Sequence, residues 1–133
     1  MKKFVVLFFV FTLLIIVNTA KSQTIYFCEG VDDNGNPIGS SSTFSIPFNG
    51  GYFYALVKLP VATDCKEVSY DVYDVKGGAE NYNTTITQNG LSNEWNWFWK
   101  KITFYDAGYY HIKVNDCNGR ELADGYVTVK YNY

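Results

Sequence analysis

Trp95, Trp97 and Trp99 alternate with Asn96 and Phe98. On a regular β-strand such residues share one face, because side chains alternate with period two. A row of indole rings stacks on sugars or grips a protein partner. Phe98, Lys100, Ile102 and Phe104 share the opposite parity. Burying that face would also bury Lys100, and an unpaired buried charge is costly. Two arrangements relieve the cost. A β-bulge at Lys100-Lys101 would shift the alternation and turn the indoles inward with Ile102 and Phe104. Alternatively, Lys100 snorkels at a sheet edge and the indoles stay on the surface. The bulged arrangement, with at least one indole partly exposed, is the leading expectation. In the surface arrangement Trp95, Trp97 and Trp99 are the candidate ligand-binding residues.

Asp32-Asp33-Asn34-Gly35-Asn36 has the oxygen density of a calcium loop. An EF-hand loop, however, needs Gly at its sixth position and Glu at its twelfth. Counted from Asp32, Pro37 and Thr43 stand there, so a plain turn is the reading. A looser oxygen site drawing on Asp116 or Asp124 stays open. His111 has outward parity between Tyr110 and Ile112, which makes it a solvated or half-covered residue. Ser40, Ser41 and Ser42 lie in no elbow motif, and nucleophilic catalysis needs an adjacent base and an orienter. One histidine without C-x-x-C spacing does not complete a zinc set. A small sandwich also offers little room for the cleft that a glycosidase's paired carboxylates need. Hence no catalytic residue, metal or cofactor is expected. Asn83-Thr84-Thr85 fits a glycosylation sequon. Three cysteines, Cys28, Cys65 and Cys117, allow three pairings and leave one thiol over.

Lys2 and Lys3 precede an apolar run from Phe4 to Val17 broken only by Thr12. As a helix that run spans about 21 Å, short of the roughly 30 Å bilayer core. Small residues at Ala20 and Ser22 complete a secretory signal cut after Ser22. The expected domains are therefore a signal at residues 1–22 and one folded domain at residues 23–133. No membrane span is expected after cleavage. The product is exported, to the periplasm, the cell surface or the medium. The chain has 11 Lys and Arg against 13 Asp and Glu; without Lys2, Lys3 and Lys21 the balance is 8 against 13, a net of −5. That balance argues against nucleic acid and against an anionic membrane surface as partners.

The remainder reads as short apolar runs separated by Gly, Asn, Asp and Pro clusters. Strands are expected at residues 23–31, 42–47, 51–59, 66–75, 82–87, 95–105, 108–115 and 125–131. No segment keeps a helical period for three turns. Tyr and Phe, at 12 and 10 residues, favour strands. Such spacing marks an all-β fold, an antiparallel two-sheet sandwich or a barrel. Alternation nominates a core of Phe53, Ala55, Val57, Val68, Tyr70, Val72, Tyr110, Ile112, Val114, Val127 and Val129.

Asp106, Gly108 and Tyr110 form Asp-x-Gly-x-Tyr at the start of one of these strands. This resembles the tyrosine corner of immunoglobulin-like domains, in which the hydroxyl bonds backbone upstream. Ile112 stands where many such domains carry a cysteine, so their inter-sheet disulfide is missing. The segment around Asp116-Cys117-Asn118-Gly119 is also similar to the end of PKD-like repeats, common in secreted bacterial proteins. The resemblance implies an immunoglobulin-like sandwich of about seven to eight strands. It makes residues 66–75 and 109–115 antiparallel neighbours, and so implies a Cys65–Cys117 bridge. Cys28 would fall at the same end of the sandwich. The implied function is a non-catalytic binding module, for protein contact or adhesion at the envelope. Carbohydrate binding through exposed Trp and Tyr side chains is the alternative.

Overall fold

Strands form where apolar and polar side chains alternate. The computed structural model, which describes residues 24–132, contains ten. They are β1 (Thr24–Cys28), β2 (Gly30–Val31), β3 (Pro37–Ile38), β4 (Thr43–Ile46), β5 (Gly51–Lys58), β6 (Val68–Lys76), β7 (Ala79–Gln88), β8 (Trp97–Phe104), β9 (Gly108–Asn115) and β10 (Glu121–Tyr131). The expected signal lies outside the described residues. One sheet has the order β1-β5-β8 and a second the order β4-β10-β9-β6-β7; β2 and β3 pair as a short ribbon. The architecture is all-β and sandwich-like. It has ten strands in three sheets where seven to eight in two were expected. The extra strands arise because the Asp32–Asn36 turn folds the segment after Glu29 back on itself. The pairing is also not wholly antiparallel, since β4 runs parallel to β10.

The nominated core residues are all buried. They meet because β5 presents Phe53, Ala55 and Val57 inward while β6, β9 and β10 present theirs from the facing sheet. An aromatic column crosses the interior. Phe53 stacks on Phe44 at 4.4 Å and on Phe104 at 5.0 Å, and Phe104 packs on Tyr110 at 4.8 Å. Paired rings stabilise beyond their buried area. At the corner before β9 the Tyr110 hydroxyl donates to the Asp106 carbonyl at 2.7 Å. A Cβ on Gly108 would stand 3.3 Å from that ring, a tight contact that would make the ring give by a few tenths of an ångström.

One local sequence is used twice. In Asp32-Asp33-Asn34-Gly35-Asn36 the Asp32 carboxylate accepts the amides of Asn34 and Asn36, both at 2.9 Å. In Asp116-Cys117-Asn118-Gly119-Arg120 the Asp116 carboxylate accepts those of Asn118 and Arg120, again at 2.9 Å. Gly35 and Gly119 follow with φ of 79° and 81°, the left-handed region glycine enters freely. Both are Asx-type turns closed by backbone bonds. Burial works to raise the Asp116 pKa. The amides of Arg120 and Asn118 and the Arg120 guanidinium outweigh it and hold the carboxyl below its ordinary value.

Cys65 and Cys117 form a disulfide across a separation of 52 residues, tying the loop before β6 to the turn after β9. Cys28 is free and buried, opposite Tyr54 in the middle of β5.

Replacing both Cys65 and Cys117 by Ala should cost about 4 kcal/mol, the chain-entropy value for a loop of this length. Denaturant unfolding checks it, and an unchanged midpoint would contradict it. Asp116 has a lower pKa folded than unfolded. Its contribution is complete above the ordinary Asp range near ~3.9 and is lost as pH falls through the folded value. Asp116→Asn should therefore be less stable than the parent at neutral pH, with the gap closing in acid. Melting temperatures from pH 7 down to about 2 read this directly.

Candidate functional site

β8 pairs with β5 from Lys58 opposite Trp97 to Gly51 opposite Phe104 without a shift in register. The expected bulge at Lys100-Lys101 is absent. Phe98, Ile102 and Phe104 point into the core, while Trp97, Trp99 and Lys101 point out. Lys100 has inward parity and is only half-buried. It is tolerated because β8 is the outermost strand of its sheet, so the side chain lies at the rim. An inward-pointing lysine on an edge strand also deters pairing with another chain.

The three tryptophans do not share one environment. Trp95 precedes the strand in a turn closed by its amide bonding the Ser92 carbonyl, and it is 48% exposed. Trp99 is 44% exposed. Trp97 is half-buried, because the Asp32–Asn36 turn rests on it. A Cβ added at Gly35 would stand 2.5 Å from the indole. The β2–β3 ribbon thus covers part of this outer face. Leu56 and Cys28 have outward parity and are nevertheless fully buried. Burial raises the Cys28 thiol pKa, opposed by backbone bonds from Gly30 and Ile38 of the ribbon.

An open groove of about 750 Å³ follows the free edge of β8. Its walls carry Trp95, Trp97, Trp99, Lys100 and Lys101, with Gln88, Asn89, Glu94 and Asn96. Gln88 comes from β7, the rim of the other sheet. Its amide donates to the Trp99 carbonyl at 2.9 Å and accepts from the Tyr70 hydroxyl at 2.6 Å. Burial pushes that hydroxyl's pKa well above the ordinary tyrosine value. A second groove of about 420 Å³ continues between the same rims, past Asn83, Thr84 and Ile86 on β7 and Lys101 to Phe104 on β8. From Trp99 the aromatic surface turns onto the outer face. Tyr54 meets Trp99 edge-on at 5.2 Å, Tyr52 meets Tyr54 at 6.0 Å, and the Lys101 ammonium lies 4.7 Å over the Tyr52 ring. Tyr52, Tyr54, Gln88 and Lys101 were not nominated from the sequence. The alternation of Tyr52 and Tyr54 against Phe53 and Ala55 was the signal for the first two.

His111 lies on the outward parity of β9, as expected, but it is buried and not solvated. Tyr126 stacks flat on its ring at 4.0 Å. Its Nδ1 is 2.8 Å from Glu80 and its Nε2 2.7 Å from Asp124. Register places Tyr126, His111, Tyr73 and Tyr82 in one row across four strands. Burial works to raise the Glu80 pKa, but the hydrogen bond and charge of His111 hold it below the ordinary value. This network ties β7, β9 and β10 together and leaves the imidazole engaged at both nitrogens. Among the described residues no cluster of three or more His, Cys, Asp or Glu could hold a metal ion. No described helix is long and apolar enough to cross a membrane.

No protein-family model matches the chain. No curated protein matches it. Among solved structures it is similar to the CARDB domain of a Pyrococcus furiosus protein, determined in complex with di-metal ions. The two are 14% identical, the match covers 84% of this chain and 93% of the other, and the TM-score is 0.37. At that identity and score the likeness bears on neither the site nor the ligand.

The cover on Trp97 gives a direct test. Gly35→Ala should cost at least about 1 kcal/mol from the left-handed backbone alone, and more from the clash with the indole. Trp99→Ala, on the open face, should stay within about 0.5 kcal/mol of the parent. Urea unfolding of the two variants reads both. Equal, small effects would mean the ribbon does not rest on Trp97.

Proposed function

We propose that the chain is an exported, non-catalytic binding module of immunoglobulin-like or PKD-like type that holds a polysaccharide along the free edge of β8. Export rests on the signal at residues 1–22 and is supported by the disulfide, a bond of oxidising compartments. The immunoglobulin-like assignment is supported by the Tyr110–Asp106 corner bond and by the antiparallel pairing of β6 with β9.

One observation carries the ligand reading. Trp95 and Trp99, each nearly half exposed, open on the same groove as the amides of Asn89 and Asn96. Indole faces stack on the C–H faces of sugar rings, and amides both donate to and accept from hydroxyls. The geometry is less suited to a protein partner that adds a strand. Such a partner needs free backbone groups along the edge. Here Gln88 already caps the Trp99 carbonyl, and Lys100 stands on the inward parity.

Affinity electrophoresis through gels loaded with defined polysaccharides tests the reading. At least one polymer should retard the protein. Trp99→Ala and Trp95→Ala should each weaken that retardation about fivefold, the worth of one aromatic contact. A folded protein that no polymer retards would overturn the proposal and return the groove to a protein partner.

A further inference from the structure

Charge is divided unequally between the two main sheets. β1, β5 and β8 carry Lys58, Lys100 and Lys101 and no carboxylate. The five-stranded sheet carries Asp71, Asp74, Glu80, Glu121 and Asp124 against Lys76, Lys113 and Lys130. The two sheets thus stand at +3 and −2, within described residues that total −5. Lys58 is answered by Asp32 of the turn that covers part of this face, close enough to help lower its pKa, while Lys101 stands on the open aromatic face and Lys100 at the rim of the same strand.

That placement is specific. Lys100 and Lys101 line the β8 groove beside Trp99. Lys101 also reaches over the Tyr52 ring at 4.7 Å, so it stands where the groove turns onto the outer face. On the opposite sheet, Lys113 lies 3.9 Å from Glu80 and sits over Tyr73. No acidic partner lies within salt-bridge distance of Lys100 or Lys101 among the ion pairs of the described residues. Glu94 is the groove's one carboxylate, and it lies at the Trp95 end.

We infer that the ligand is an anionic polysaccharide, its rings stacked on Trp99 and Trp95 and its acidic groups met by Lys100 and Lys101. The inference rests on the polysaccharide reading and names its chemical class. Carboxylate and sulfate groups share this chemistry, and both are acceptors for an ammonium donor. The lysines contribute selectivity over neutral chains more than raw affinity, as charges at a contact rim do.

The test uses the folded mature domain with polygalacturonate, dextran sulfate, unsubstituted dextran and a single-stranded oligonucleotide as probes. At least one acidic polymer should bind, and its affinity should fall as salt rises. Lys100→Gln and Lys101→Gln should each weaken it about threefold, the scale of an exposed charge pair. Lys130→Gln, on the other sheet, should leave it unchanged. Preference between polygalacturonate and dextran sulfate separates carboxylate from sulfate as the group recognised. If dextran binds as well as the acidic polymers and the lysine changes do nothing, the anionic class is wrong while the polysaccharide reading stands. If Lys130→Gln weakens binding as much, or the oligonucleotide binds equally, the attraction is general charge and the inference fails. If no polymer binds and Trp99→Ala has no effect on any probe, the underlying reading fails as well.

Discussion

A lysine on the inward parity of β8 constrains much of this molecule. Lys100 sits between Phe98 and Ile102 on the face that builds the core. A charge cannot be left there unpaired in a central strand, because desolvation would cost several kcal/mol. It can be left at a rim, where the side chain lies beside solvent. β8 therefore ends its sheet, and the unbroken register with β5 follows from keeping Phe98, Ile102 and Phe104 buried together. The same register turns Trp97 and Trp99 outward. The open edge and the exposed aromatics are two consequences of one placement.

The two outer faces then differ in character. Over the five-stranded sheet, carboxylates, lysine and aromatic rings are occupied with one another around His111. That face is cross-linked between β7, β9 and β10 and offers few idle polar groups. Over the three-stranded sheet, the ribbon secures Trp97 and buries Leu56, but stops short of Trp99, Tyr54 and Tyr52. The part left uncovered is aromatic and cationic. The disulfide and the two Asp-x-Asn-Gly turns hold the loops at the ends of the strands in place.

Much of the framework was legible in the sequence because period two is a strong signal. The alternation in 51–59, 66–75 and 108–115 located three central strands and named a core that is buried throughout. The polar, Thr-rich run at 82–87 lies in the edge strand β7, as its composition implied. What was not legible depends on contacts distant in sequence. The ribbon's two-residue strands are too short to show a period. The cover on Trp97 comes from Gly35, and the burial of His111 from Glu80 and Asp124, none of which its own strand announces. The bulge at Lys100-Lys101 was a reasonable solution for a central strand, and it failed because nothing local says that β8 lies at an edge. The charge division between sheets is likewise invisible until the strand order is known.

The central claim is that β8 alternates regularly, so that Trp99 faces solvent and Trp97, on the same face, is covered by the ribbon, while Trp95 is exposed in the turn before the strand. The three indole N–H signals in a nitrogen-15 spectrum of the folded protein, followed by solvent exchange, test it most directly. Two signals should exchange readily with water and one, assigned to Trp97 by substitution, should be protected. Three protected indoles would contradict the account, since they would place the stripe in the core and require the bulge that the register excludes.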